Sequence, residues 1–422
     1  MILLRQGSAG HDRRSGLAGR IAGWAFVGAA VLAPLIAWVG PLAFAPLMGL
    51  VGLFCLPALR ISEEDRPVAV PLLFALVWAG MSASWSPYRP DDLEGSVALK
   101  LALQLPLYWA AWCGARRADP ALQRLALTIL AWGFGIVGAI LLVEAVTGGA
   151  IYQALRAAIG DPTRADLARK NLAQGSFAVA LLWPVVAAGG VRAGQPWWLA
   201  VPMAAGSALL AYLFLSDAPV LALGLVLLVG VAAWLLPHST PKGLALIAAA
   251  FFILFPAIAL GVRSLTRSLK LDIAPPESWA QRLGYWSHAL DAIAWHPIRG
   301  WGLDASRAFS PGIVLHPHSG ALQLWLELGL LGGATAALFW AFLLRRLSRE
   351  RADLVATAGC ATAAVYLLFG AVNFGVWQEW WLGLGALACA VVGLASGVNP
   401  APQTGEIRRT AAKTSTRPAF SG

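Results

Sequence analysis

Along residues 21–396 long apolar runs alternate with short polar interruptions, and most runs have the length of about 17–25 residues that a helix needs to cross a bilayer. Runs at 21–39, 41–59, 67–83, 97–114, 121–146, 171–190, 197–214, 218–236, 243–261, 320–343, 353–372 and 380–396 predict about twelve transmembrane helices. Only Gly40 separates the first two, which predicts a tight hairpin opening on Pro41. One interruption is much longer than the rest: residues 262–319 predict a single large loop between helices 9 and 10. The polar stretch 1–20 reads as a tail before an uncleaved anchor, because the apolar run goes on past any cleavage site and more spans follow. Residues 397–422, basic and rich in Pro, Ser and Thr, read as a disordered tail. No fixed-period repeat and no inverted pair of interrupted spans is evident, so the pattern lacks the duplication that many transporters carry.

Composition agrees with this all-α integral membrane reading. The chain is 59% apolar and 12% charged, against about half and a quarter in soluble domains. Its formal charge of +10 bears on topology rather than on nucleic acid. With the N-terminus in the cytoplasm, alternation places 19 of the 31 Lys and Arg residues inside and 12 outside. The positive-inside rule favours that arrangement, with both termini cytoplasmic and 262–319 on the outer side. Cys55, Cys113, Cys360 and Cys389 lie within or at the ends of apolar runs without metal-ligand spacing, and read as small hydrophobes.

The exceptions to the charge rule point to chemistry. Ten of the 12 outer cations fall in two loops: Arg156, Arg164, Arg169 and Lys170 in 147–170, and Arg263, Arg267, Lys270, Arg282, Arg299 and Arg307 in 262–319. Fewer acids oppose them, which suggests an electropositive outer pocket for an anionic substrate such as a lipid diphosphate, as well as contacts to membrane lipids. In the first loop Ile151, Leu155 and Ile159 predict a short interfacial helix. Asp161-Pro162 predicts the N-cap of the next helix, on which Asp166 would pair with Lys170 and leave Arg169 free for phosphate. In the second loop Trp279, Leu283, Trp286, Leu290 and Ile293 share an arc of about 80° at ~100° per residue, predicting an interfacial helix with Arg282 at the rim of its apolar face. His288 falls on the opposite, solvated face, Pro297 should end the helix, and Gly300 and Gly302 permit close backbone approach around Arg299. His316 and His318 follow at the mouth of the tenth span. Two histidines at i, i+2 make a poor metal site, whereas a neutral imidazole near several arginines suits a general base, His318 ahead of His316. Glu327 lies nine residues further on, about 13 Å down a helix at 1.5 Å per residue and turned away from His318. It should bond a neighbouring span or stay protonated. Asp217 in the turn LSDAP, and Asn373 and Glu379 in the last outer loop, are secondary candidates.

Ser278, Arg282 and Trp286 at four-residue spacing, then HPIRGWG, then the run from His318 through Glu327 to Gly329, resemble the large-loop pattern of the bacterial O-antigen ligase family, whose superfamily also holds O-antigen polymerases. The resemblance implies a fold like that of the polyprenyl-phosphate-dependent membrane glycosyltransferases. It implies metal-independent, inverting transfer of a glycan from undecaprenyl diphosphate to an acceptor hydroxyl, lipid A–core in the ligases, without a cofactor. Arg282 then corresponds to the arginine implied to bind diphosphate and His318 to the histidine implied to activate the acceptor. Arg169 corresponds only approximately to the mid-chain arginine, because its surroundings, RKNLAQG, depart from the pattern, so Lys170 remains an alternative. Ser319 stands where the family often has Asn. Polymerization of lipid-linked units differs only in the acceptor. A lipid-linked-sugar transporter would instead carry charges through the membrane.

Overall fold

The computed structural model describes residues 16–269 and 276–398, so the two expected tails, apart from residues 16–20 and 397–398, and Lys270 of the large loop lie outside the described residues. Within them all regular structure is helical and no strand occurs: α1 (Leu17–Val39), α2 (Phe44–Cys55), α3 (Arg66–Ser82), α4 (Val97–Arg117), α5 (Pro120–Thr147), α6 (Ala150–Ala158), α7 (Ala165–Arg192), α8 (Ala200–Leu213), α9 (Asp217–Leu235), α10 (Ser239–Ser268), α11 (Glu277–Ile293), α12 (Gly320–Arg345), α13 (Leu354–Val372) and α14 (Glu379–Gly397). Each of the twelve apolar runs is a helix here, with α6 and α11 added in the two basic loops. Nine segments among the described residues are long and apolar enough to cross a membrane, and α3 and α8 are shorter apolar helices. The protein is an all-α integral membrane protein.

Packing follows from the absence of a hydrophobic drive between helices in lipid, which leaves close contact of small residues to hold a bundle together. A Cβ at Gly383 of α14 would stand 2.7 Å from the Phe44 carbonyl oxygen, and one at Gly189 of α7 2.7 Å from a Leu127 methyl of α5. Helix α7 is buried along most of its length among α1, α5, α8, α13 and α14. Its opposite numbers α9 and α10 turn Leu227, Leu228, Val231, Leu246 and Ile247 outward, as a lipid-facing surface would. A second block joins α12 to α10 and α3 through Ala79, Phe252, Ala321, Leu324 and Leu328.

The helix ends sort into two faces. On one, buried Asp65 accepts from Arg116 of α4 (3.1 Å) and from Arg346 beyond α12 (2.7 Å), and Arg192 meets Asp353 (2.6 Å). On the other, Lys100 pairs with Glu379 (2.6 Å) and Arg263 with Asp291 (2.7 Å). The arginines that charge counting put on one side thus gather at one end of the bundle.

Three local expectations are corrected. Helix α7 opens at Ala165 rather than at Asp161-Pro162, because the Asp161 carboxylate is drawn back to Arg156 of α6 by an ion pair. Asp166 takes Arg164 (2.8 Å) instead of Lys170. Helix α11 ends at Ile293, well before Pro297, and only its C-terminal half is sealed: Leu290 and Ile293 are buried against Leu322 and Leu326 of α12 while Leu283 stays exposed.

Candidate active site

The large loop does not simply lie on the surface. Helix α12 breaks at Gly329 (φ 67°, ψ −159°), and the turn Pro297–Gly302 fits into the break. The Trp301 and Gly302 amides donate to the carbonyls of Leu326 (2.9 Å) and Glu327 (2.8 Å), and the Leu330 amide donates to Pro297 (2.8 Å). Irregular backbone inside a membrane bundle must find such partners within the protein. Gly300 has φ 68°, and a Cβ there would sit 2.6 Å from the Gly329 nitrogen, so the two glycines allow the chains to interlock.

Glu327 holds this junction together. Fully buried, it accepts from Ser306 Oγ (2.6 Å), the Asp304 amide (2.9 Å), Gln323 Nε2 (3.1 Å) and Trp377 Nε1 (2.5 Å). Its partners are therefore the incoming loop and the α13–α14 connection rather than a neighbouring span. Gln323 completes the link by accepting from the Val376 amide (2.9 Å). The effect is to fix residues 373–378 against the start of α12.

That connection presents Asn373, where the two leading candidates meet. Arg282 Nη2 donates to Asn373 Oδ1 (3.0 Å), and His318 Nδ1 lies 2.8 Å from the Asn373 carbonyl oxygen. A carbonyl can only accept, so Nδ1 carries the imidazole proton and Nε2 keeps a free lone pair. The ring stacks on Tyr285 of α11 (centroids 5.9 Å apart, 19° between planes), and among the described residues Nε2 has no protein partner. His318 itself has φ 53°, an unfavourable backbone for a non-glycine residue. The geometry is held by His316, whose Nδ1 accepts from the His318 amide (3.2 Å). Burial lowers the His318 pKa below the ordinary histidine value; the hydrogen bond to Asn373 opposes this and the Arg282 charge adds to it. Burial, with His318 and Arg307 nearby, pushes His316 down to about 3. At neutral pH the site holds a neutral base beside a guanidinium.

The remaining candidates divide. Arg169 is exposed on the second turn of α7, its guanidinium 6.0 Å from the Phe214 ring in the α8–α9 turn. The same turn leads to Asp217, exposed at the start of α9, whose charge favours the Arg282 cation against the lowering effect of burial. Lys170 is exposed and makes no ion pair among the described residues. Trp286 is built into the framework, its Nε1 donating to the Pro317 carbonyl (2.9 Å) and its ring against Phe255. Arg299 turns to the Trp85 ring (5.9 Å) instead of joining the histidines. His288 is exposed, as its helical position requires.

Asn373 carries more of the geometry than its sequence setting suggests, since an asparagine ending an apolar run reads as a cap. It is that too, its amide donating to Phe369 (2.9 Å). Glu144 is a further buried acid at a helix junction. This fully buried acid of α5 caps α6 by accepting from the Ile151 (3.1 Å) and Tyr152 (2.7 Å) amides, and it was the lone acid of its apolar run.

Comparison with known proteins bears on the family. The O-Antigen ligase family model matches residues 202–337, a stretch that includes Arg282, Arg299, His316, His318 and Glu327 but neither Arg169 nor Asn373. A Rickettsia prowazekii protein provisionally named polysaccharide ligase RP358 is 28% identical over 144 residues, 31% of this chain and 35% of its own length. Its Rickettsia conorii counterpart RC0486 is 29% identical over 147 residues, covering 32% and 36%. The chain thus spans about a third of the length of the curated relatives it matches.

Proposed function

We propose that this chain, a member of an O-antigen ligase family, moves a polysaccharide from undecaprenyl diphosphate to a hydroxyl of lipid A–core on the periplasmic face of the inner membrane. The observation that carries the reading is the Asn373 junction, because it joins a phosphate-binding cation to a base with its lone pair free. In the reaction, His318 Nε2 takes the proton of the acceptor hydroxyl as its oxygen attacks the anomeric carbon. The bond from that carbon to the phosphate oxygen breaks with inversion, and undecaprenyl diphosphate departs with the electron pair. A fixed guanidinium at Arg282 stabilizes that developing charge, with Arg169 or Lys170 supplying a second cation from α7. Glu327 acts at a distance, by holding the loop that holds Asn373.

Deleting the gene in its host and resolving lipopolysaccharide on a gel tests this. The polysaccharide ladder should vanish while glycan-loaded lipid carrier accumulates, and H318A or R282A should reproduce the deletion at unchanged protein level. A ladder reduced to single-unit rungs would mean that the enzyme is a polymerase of the same lipid-linked units.

A further inference from the structure

A groove of about 190 Å³ opens between the α3–α4 connection and the turn that Glu327 anchors. Tyr88, Arg89, Ser96 and Val97 line one side, and Leu303 and Asp304 the other. Building on the transferase reading, we propose that this groove is the acceptor subsite and seats one neutral sugar ring of the acceptor glycan.

Size argues first: a groove of about 190 Å³ accommodates a group on the scale of one sugar ring. Its chemistry is two-sided in the way a sugar requires. Val97, Leu303 and the Tyr88 ring offer an apolar wall to ring C–H groups. Asp304, which lines the groove, offers a carboxylate to hydroxyls, its Oδ1 also accepting from Arg307 Nε (2.9 Å). The residue is 8% exposed and held at φ 60° by the hydrogen bond its backbone amide donates to Glu327, so the carboxylate is built in rather than trailing in solvent.

Location argues second. Arg307 lies 5.6 Å from the Tyr88 ring centroid and close enough to His316 for its charge to be felt there. His316 is 4.3 Å from His318, ring to ring, and Arg282 lies beyond, through Asn373. Arg307 and the histidine pair thus connect the groove to the base and to the arginine assigned to the leaving diphosphate.

Two readouts on the purified full-length protein in nanodiscs test this. Saturation-transfer NMR with glucose, galactose, a heptose and the deacylated core oligosaccharide of the host lipopolysaccharide should show transfer to ring protons of at least one of these, lost in Tyr88→Ala. Arg89 bonds to the Ala83 and Ser84 carbonyls keep the loop folded without that ring. In the transfer assay Tyr88→Ala and Asp304→Asn should raise the acceptor KM at least tenfold with donor KM and kcat within about twofold, and Tyr88→Phe should restore most of the loss. No saturation transfer from the wild type, or unchanged acceptor KM and saturation transfer in both variants, overturns the subsite. A wild type that binds sugar through Tyr88 yet transfers nothing from any lipid-linked glycan overturns the transferase reading and leaves the subsite standing.

Discussion

At His318 the imidazole is pinned on three sides, by the Asn373 carbonyl, the Tyr285 ring and its own strained backbone. A base so placed must be neutral to act. With its pKa lowered by burial and by Arg282, activity should hold from neutrality down past the ordinary histidine value of about 6.5 and fall only at lower pH. Arg282→Ala removes a positive charge, so the acid limb of whatever activity remains should move to higher pH; an unmoved limb in a pH–rate profile would detach the two residues. His318→Ala should lower transfer by about 10²–10⁴-fold, the usual contribution of a general base. His316 should show in stability rather than in rate. Its folded pKa near 3 lies below the unfolded value, so its contribution is complete above about 6.5 and drains away as pH falls toward 3. His316→Gln should flatten that part of a melting-temperature-against-pH curve.

The interlock of Gly300 with Gly329 is where element-scale reading of the sequence stops. The twelve apolar runs were legible because membrane thickness sets their length. LELGLLGG, however, reads as uninterrupted helix, and nothing in its hydropathy marks a break. What reveals the break is a turn thirty residues earlier that needs helix carbonyls as partners. Asp161-Pro162 failed for the same kind of reason, a local cap signal overridden by an ion pair to Arg156. Gly329→Ala should place a Cβ in a left-handed conformation and against the Gly300 amide, costing at least ~1–2 kcal/mol and lowering the melting temperature in detergent. Glu327→Ala should be more severe, since it orphans four buried donors at about 1–3 kcal/mol each. A melting temperature unchanged by either substitution would contradict the interlock.

Across the whole molecule the candidate site is assembled from elements far apart in sequence. Arg282 and Asn373 are 91 residues apart, and their contact has no periodic signature. The basic loops announced where to look, the helix stripe put Arg282 on a rim and Asn373 stood among the secondary candidates, but its place between cation and base came only from the tertiary structure. Orientation is open to direct measurement, because among the described residues the native cysteines are free and all but Cys389, which is half-buried, are buried. Cysteine at exposed Glu94, in the α3–α4 connection, should react with a membrane-impermeant maleimide in intact spheroplasts, and cysteine at exposed Glu350 only after permeabilization. The reverse pattern would put the site in the cytoplasm. The most direct test of the central claim is transfer itself: purified protein in nanodiscs, supplied with glycan-loaded undecaprenyl diphosphate and lipid A–core. The account predicts glycan on the lipid A–core with the wild type and at least about a hundredfold less with folded R282A or H318A. Undiminished transfer by both variants would contradict it.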